Sequence, residues 1–296
     1  MDKTIRIIGV PMDLGQAHRG VDLGPGAVRY AGLSARLRAL GYRIHDRGNL
    51  PVPVRDSLPA DEQEPFLSAI SRVCADVYQA GCEAVADGCL PIFLGGDHSI
   101  SIGTIGGVTD HEPCGVIWVD AHGDFNTPRT SRSGNIHGMP LATLLGSGFD
   151  ELVDVGRLGA KITLRDVVMI GIRDLDAAER ERLRLSGINI FTMRDIDELG
   201  MAQVTRAALE LLGHHRRLHV SLDLDGLDPH EAPGVGTPSP GGLTYREAQL
   251  LMEIIADTGK VSSADLVEIN PILDHANSTA RMAVDLAVSL FGKRIL

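Results

Sequence analysis

Short apolar runs alternate with longer amphipathic segments along most of the chain. The runs are typical of strands buried on both faces of a sheet, and the segments between them carry apolar residues at helical spacing. The runs predict strands at residues 5–10, 44–46, 92–94, 116–120, 167–170, 188–191, 218–222 and 265–269. Because strands and helices alternate, we expect a mostly parallel sheet covered by helices on both faces.

The helical segments fit between these strands. Gly24 and Pro25 open the first helix, since proline is favoured at the first helical position, and leucines at helical spacing continue it to Leu40. Residues 50–65 are polar and rich in proline, and we interpret them as a surface loop. No linker is evident, so residues 1–296 are expected to form one domain. Further helices are predicted at residues 70–86, 99–108, 137–145, 176–185, 201–212, 245–256 and 276–290.

Three of the predicted strands end in side chains that bind metals. At the end of the strand at 116–120, three such side chains recur at every second residue, and they would share one face if the strand continued. Another strand is followed by two carboxylates two residues apart, and a third by two glycines and then a histidine at the start of a helix. In chain order the six side chains are His98, Asp120, His122, Asp124, Asp223 and Asp225.

Each of these side chains, taken alone, has a simpler interpretation as a helix cap, a turn residue or a hydrogen-bonded core histidine. Six of them at the carboxyl ends of parallel strands, where ligands bind in such sheets, are hard to explain in that way. A buried, unpaired carboxylate is costly or takes up a proton, and a divalent ion removes that cost. Four carboxylates and two imidazoles are too many for one ion, and they suit a pair of manganese ions better than a thiolate-seeking metal.

Three motifs, GGDHSI, DAHGDFNT and SLDLDGLDP, resemble those of the ureohydrolase superfamily and, within it, the bacterial arginases. The likeness runs from about residue 7 to about residue 291 and includes GVDLGPGAVR, SGNIHG, GGLTYRE and VEINP. It implies a three-layer α/β/α fold and two Mn²⁺ per chain held by the six side chains, with Asp120, Asp124 and Asp223 as bridging ligands. It also implies hydrolysis of L-arginine to L-ornithine and urea, by attack of a hydroxide between the ions on the guanidinium carbon.

The resemblance assigns three residues to the reaction itself. Glu268 would pair with the guanidinium group of the substrate, whose planar fork suits a carboxylate. His137 would carry a proton to the leaving amine, and Asp124 would transfer the proton of the attacking hydroxide. Without the resemblance, Glu268 is equally a cap at a strand end, His137 an exposed loop histidine, and Asp176 an ordinary helix N-cap.

The amino-acid end of the substrate would be bound by the loop over the strand ends and by its neighbours. Loops positioned by a rigid scaffold commonly carry specificity. By resemblance, the residues expected at the α-carboxylate are Asn126, Ser131 and Ser133, those near the α-amino group are Asp176 and Glu179, and Thr237 is expected close to the guanidinium.

Composition and charge limit the classes of binding partner and indicate a cellular compartment. A formal net charge of −11 disfavours nucleic acid and anionic membranes and modestly favours a cationic substrate. The four cysteines form no CxxC pair, which suits a reducing compartment. The first strand begins within a few residues of Met1, which leaves no room for a signal peptide, and no apolar run reaches membrane-spanning length. We therefore expect a cytoplasmic protein and, by resemblance, a homo-oligomer built as a hexamer or trimer.

Two other functions stay open at this point. The chain could hydrolyse a related guanidino compound such as agmatine, because the metal-binding motifs are shared across the superfamily and only the loop distinguishes its members. It could also be a catalytically silent scaffold that kept the fold. The presence of all six predicted ligands together with His137 and Glu268 argues against the scaffold.

Overall fold

The protein is described by a computed structural model that covers residues 3–58 and 66–294. Each predicted strand is present, and in this part of the chain every pairing between neighbouring strands is parallel. The strands are β1 (Thr4–Val10), β2 (Arg43–Asn49), β3 (Leu90–Gly95), β4 (Gly115–Val119), β5 (Val167–Ile172), β6 (Asn189–Thr192), β7 (Leu218–Asp223) and β8 (Val261–Val267). They form one 8-stranded sheet in the order β2-β1-β3-β8-β7-β4-β5-β6.

Helices cover both faces of the sheet. In chain order they are α1 (Gly24–Tyr30), α2 (Leu33–Ala39), α3 (Leu67–Ala86), α4 (Ser101–Val108), α5 (Pro140–Leu144), α6 (Asp150–Val153), α7 (Ala177–Ser186), α8 (Met193–Leu199), α9 (Met201–Leu211), α10 (Tyr245–Asp257) and α11 (Ser278–Leu290). Apolar side chains of α3 to α7 pack on one face, and those of the other six helices pack on the opposite face. The predicted three-layer α/β/α architecture is confirmed.

The side chains of β4 contribute to two hydrophobic cores, one on each face of the sheet. Its side chains alternate between faces, so Ile117 and Val119 join the core beneath α8 to α11, while Val116 and Trp118 join the core beneath α4, α5 and α7. All four are fully buried. Burial of such side chains contributes roughly 1.5–3 kcal/mol each. The carboxyl end of β4 is therefore held firmly from both sides.

The four central strands, β3, β8, β7 and β4, lie side by side. Because they are parallel, the residues that follow their carboxyl ends meet at one edge of the sheet. His98 follows β3, Asp120 follows β4, Asp225 follows β7 and Glu268 follows β8. The topology thus gathers the candidate functional residues into one place.

Two predicted helices are wrong in extent. The helix predicted from Gly24 to Leu40 is two helices, because Gly32 adopts a left-handed φ of 91° and interrupts the helix between α1 and α2. The helix predicted at residues 137–145 begins only at Pro140, and a 3-10 turn at Ile136–Gly138 precedes it. The short helices α6 and α8 were not predicted, since helices of this length carry little periodicity.

The predicted surface loop at residues 50–65 is only partly described. Residues 50–58 contain a 3-10 turn at Arg55–Ser57, and the remainder of the predicted loop lies outside the described residues. Within the described ranges, no helix combines the length and the apolar character needed to cross a membrane.

Glycines allow α3 and α4 to approach each other closely. A Cβ atom on Gly103 of α4 would lie 2.4 Å from the carbonyl oxygen of Cys74, and one on Gly107 would lie 2.3 Å from that of Tyr78. These obstacles are backbone atoms of α3, which cannot move without displacing the helix. Since α4 directly follows His98, this close approach also helps to fix the position of the histidine.

We expect Gly103→Ala to destabilise the protein by about 1–3 kcal/mol, because the added methyl group forces two packed helices apart. Gly26→Ala is the matched control: Gly26 is an exposed glycine of α1 with no atom within 4 Å of the added Cβ. Helix propensity alone predicts that this control is unchanged or stabilised by up to ~1 kcal/mol. Urea unfolding followed by circular dichroism measures the free energy of unfolding of both variants. Equal midpoints for Gly103→Ala and the parent chain would contradict the described packing.

Candidate metal centre and substrate cavity

The segment after β4 is a turn rather than a continued strand. β4 ends at Val119, Asp120 Oδ1 accepts a hydrogen bond of 2.7 Å from the backbone N–H of His122, and Asp124 has a left-handed φ of 47°. The predicted alternation of Asp120, His122 and Asp124 on one strand face is therefore wrong. Side chain to backbone hydrogen bonds of aspartate compete with strand pairing and favour turns. The turn directs the three side chains toward two different partners.

The first cluster surrounds His98. Its Nδ1 atom lies 3.1 Å from Asp124 Oδ2, 3.1 Å from Asp223 Oδ2 and 3.2 Å from Asp120 Oδ2. All four residues are buried. Within the described part of the chain, neither His98 Nδ1 nor Asp124 Oδ2 has a hydrogen-bond partner. These two unpartnered atoms face the same small space.

The second cluster adjoins the first. His122 Nδ1 lies 3.1 Å from Asp225 Oδ2 and 3.5 Å from Asp120 Oδ1. Asp120 thus offers one oxygen to each cluster, as a ligand shared by two ions would. Of the two histidines, Asp124 and Asp223 contact His98 in the described residues. The structure brings all six predicted ligands together, and their roles as ligands and bridges stay predictions.

The pKa shifts of the clustered side chains indicate that the clusters lack positive charge. Burial, together with the charge of Asp120, raises the pKa of Asp124 to about 6. Burial and the neighbouring Asp225 raise the pKa of Asp223 well above its ordinary range. Burial opposes protonation of His98, but the surrounding carboxylates raise its pKa. Protons thus balance the buried negative charge, and divalent ions would replace them.

The donor set fits two divalent ions. It offers carboxylate oxygens and imidazole nitrogens without any thiolate, which suits ions such as Mn²⁺. The simpler interpretation as turn residues also holds, but for different atoms: Asp223 Oδ1 accepts from the N–H of Asp225 at 2.8 Å, while Oδ2 faces His98. In Asp223, one carboxylate oxygen thus shapes the turn and the other is presented to the first cluster. Asp120 differs, because its Oδ1 accepts the turn hydrogen bond and also lies 3.5 Å from His122 Nδ1, while its Oδ2 faces His98.

Two supporting residues were missed by the sequence analysis. Trp118 Nε1 donates to Asp120 Oδ2 at 3.0 Å, and its ring stacks on that of His98 with centroids 4.2 Å apart. Ser221 Oγ lies 2.9 Å from His98 Nε2. Each stands two residues before a predicted ligand, and Ser221 and Asp223 share one face of β7, so strand periodicity could have pointed to Ser221. Such partners orient the ligands of metal sites.

Glu268 connects the clusters to His137. β8 ends at Val267, two residues earlier than predicted, and Glu268 has a left-handed φ of 61°. Its Oε1 accepts from the N–H of His98 at 2.9 Å and lies 2.9 Å from His137 Nδ1. Gln16, which was not predicted, donates from Nε2 to Glu268 Oε2 at 2.6 Å.

This pairing changes the interpretation of both residues. His137 is not an exposed loop histidine, since its imidazole is largely buried against Glu268. Burial opposes protonation of His137, but Glu268 raises its pKa to about 9. Burial would raise the pKa of Glu268, yet the pairing with His137 lowers it. Glu268 is 1% exposed and lies beneath the cavity described next, so its direct contact with a substrate stays a prediction.

A cavity of about 270 Å³ opens above the clusters. This is near the small end of ligand sites, which span roughly 300–1,000 Å³. The six predicted substrate-binding residues all line it: Asn126, Ser131, Ser133, Asp176, Glu179 and Thr237. Other lining residues include His122, Asp124, Asp223, Asp225 and His137.

One side of the cavity presents hydrogen-bond donors. Ser131 Oγ accepts from the N–H of Gly134 at 3.0 Å and Ser133 Oγ from that of Asn135 at 3.2 Å. Each hydroxyl proton is then left to donate to a ligand. Asn126 Oδ1 accepts from the Thr130 hydroxyl at 3.0 Å, so its amide N–H groups remain.

The floor and the remaining wall are acidic. Asp176 stands at the N-cap of α7, but its side chain makes no capping hydrogen bond, so the simple cap interpretation fails. Thr237 donates to Asp225 Oδ2 at 2.9 Å. Glu179 accepts from the N–H of Phe125 at 2.8 Å, and burial raises its pKa to about 7. A Cβ on Gly123 would lie 2.8 Å from Glu179 Oε1, so a side chain at this position would displace the Glu179 carboxylate.

The fold and the site define an α/β protein with paired metal-ligand clusters at the carboxyl edge of a parallel sheet. The sequence model of the Arginase family matches residues 3–292. The arginase of Bacillus subtilis (strain 168) is 50% identical over 297 residues, covering 100% of both chains. The chain belongs to the Arginase family, as its motifs predicted.

Solved structures agree with this membership. The native structure of arginase from Bacillus caldovelox at pH 5.6 is similar with a TM-score of 0.96 and 50% identity, over 99% of this chain and 100% of that one. The crystal structure of arginase from Bacillus cereus has a TM-score of 0.94 and 47% identity, over 99% and 100% of the two chains.

Proposed function

We propose that this protein is an arginase that hydrolyses L-arginine to L-ornithine and urea. The observation that supports it most is the polarity of the cavity, which has acidic groups over the floor and wall and free hydroxyl and amide donors on one side. Arginine has the complementary pattern, with cations at both ends and one carboxylate. Full-length relatives named arginase at about half identity support the same activity.

Two Mn²⁺ ions are the proposed cofactors. His98, Asp120, Asp124 and Asp223 would hold one, and Asp120, His122 and Asp225 the other. When bound, such a pair lowers the pKa of water and supplies a hydroxide nucleophile near neutral pH. Trp118, Ser221 and Thr237 would keep the ligands in orientation.

The guanidinium group would lie toward the acidic floor. The carboxylates that line the cavity attract it, and Glu268 adds negative charge beside His137, which lines the cavity. Glu268 Oε2 accepts one hydrogen bond, from Gln16, so it retains a lone pair for a guanidinium N–H. Gln16 thereby fixes the direction from which this carboxylate can be approached.

His137 and Asp124 are the proposed proton carriers. Glu268 occupies His137 Nδ1, so the proton available to the leaving amine is on Nε2. With a pKa of about 9, His137 holds that proton at neutral pH. Asp124 lines the cavity, so its carboxylate can accept a proton from the attacking oxygen as the C–N bond breaks.

Three further attributes belong to the proposal. The α-carboxylate would be bound by Asn126, Ser131 and Ser133, and the α-amino group by Asp176 and Glu179. A homo-oligomer, hexamer or trimer, and a cytoplasmic location are supported by family resemblance. Hydrolysis of agmatine is the second candidate, but agmatine has no carboxylate for the three donors.

We expect arginine to exceed agmatine in kcat/KM by roughly 10²-fold to 10⁴-fold, because agmatine leaves the donors of Asn126, Ser131 and Ser133 unpaired. Urea release from Mn²⁺-loaded protein measures this ratio. Ser133→Ala should lower kcat/KM for arginine by about 10-fold and leave that for agmatine unchanged, so agmatine serves as the internal control. Equal turnover of both compounds at the same low concentration would overturn the proposal.

His137→Asn should lower kcat for arginine by roughly 10²-fold to 10⁴-fold, the usual contribution of a proton-transfer group. The asparagine amide keeps a donor for Glu268, so bound Mn²⁺, measured by elemental analysis, should stay as in the parent protein. Loss of metal in this variant would show that His137 acts on the metal clusters instead.

A further inference from the structure

A second group of metal-competent side chains lies at the opposite edge of the sheet. Asp166 ends a 3-10 turn at Leu164–Asp166, directly before β5, and His214 and His215 lie in the loop between α9 and β7. Both β5 and β7 pair with β4, so these residues meet at the amino edge. The length of β7, six residues or ~20 Å, separates them from the carboxyl edge.

The three side chains converge on one point. His215 Nε2 lies 3.0 Å from Asp166 Oδ1, and His214 Nε2 lies 3.9 Å from the same oxygen. The two imidazole rings are 4.0 Å apart and tilted by 43°. Each residue offers one possible ligand atom, and these three atoms all lie within 4.8 Å of one another.

The surroundings hold these side chains in place. Asp166 Oδ2 accepts from the N–H of Thr163 at 2.7 Å and from its hydroxyl at 2.8 Å, which turns Oδ1 toward the histidines. The backbone of the histidine loop is also anchored, because Lys260 Nζ donates to the carbonyl oxygen of His215 at 2.9 Å.

A histidine–aspartate ion pair does not account for the geometry. His215 is 6% exposed, and although its Nε2 lies 3.0 Å from Asp166 Oδ1, it has no hydrogen-bond partner within the described part of the chain. A buried imidazole nitrogen without a hydrogen-bond partner is costly unless a ligand occupies it.

We propose that Asp166, His214 and His215 form a third metal site that binds a Zn²⁺-type transition-metal ion. Two imidazoles and one carboxylate favour zinc, nickel or copper over the harder Mn²⁺. His214 is half exposed, so the ion has a path from solvent and a coordination position left for water. The bound ion would link the segment before β5 to the segment before β7 and stabilise the amino edge.

Elemental analysis tests the site. Protein loaded with Mn²⁺ is dialysed against buffer containing Mn²⁺ and low micromolar Zn²⁺, and bound metals are counted. The parent protein should hold one more ion per chain than His214→Ala, and the difference should be zinc. Asp166→Asn, which keeps the acceptor for Thr163, should lose the same ion. These differences do not depend on how many ions the six-residue centre holds.

His230→Ala is the matched control. His230 is an exposed histidine 2.7 Å from an aspartate, Asp228, but it has no second imidazole beside it in the described residues. The His230→Ala variant should keep the additional ion. Unfolding gives a second readout: at Zn²⁺ near 100 times Kd, the parent should gain roughly 4–8 °C in Tm more than His214→Ala does. Zinc that only replaces Mn²⁺, or an extra ion retained in every variant, would overturn the proposal.

Discussion

Burial of one histidine and four aspartates at the edge of an apolar sheet, beside the half-buried His122, is the constraint on which the rest of the structure depends. Isolated charges in such surroundings are costly, and their pKa values shift until the charge is balanced. The raised pKa of Asp124 and of Asp223 shows the imbalance directly. The strands that carry these groups are buried on both faces and hold the groups together. A pair of divalent ions is therefore the simplest way to balance their negative charge without protons.

The residues that surround the clusters are positioned by the same buried charges. The loop after β1 reaches this edge, where Gln16 donates to Glu268 and the carbonyl oxygen of Gly15 accepts from the N–H of His137. Gly15 in turn donates its N–H to the buried carboxylate of Asp97. The proposed proton donor and the carboxylate beneath the cavity are therefore held by one loop. Catalytic groups need such support, because small displacements weaken proton transfer strongly.

Most of the fold, and the convergence of the candidate site residues, could be predicted from the sequence. Apolar runs located the strands because a sheet covered on both faces needs continuous apolar residues, and the ligands stood out because charges rarely follow such runs. The turn at Asp120 and the left-handed conformations of Asp124 and Glu268 could not be predicted, since they arise from side chain to backbone bonds and from tertiary contacts. Gln16 was missed for the same reason: its partner is distant in sequence.

Asp120 would be shared by two metal ions, since one of its oxygens faces His98 and the other faces His122. Anomalous X-ray diffraction from crystals of the Mn²⁺-loaded protein measures this sharing. We expect two manganese peaks roughly 3.5–4 Å apart, as in other two-metal sites, with one oxygen of Asp120 toward each ion. A single peak beside His98, or two peaks that share no carboxylate, would contradict it.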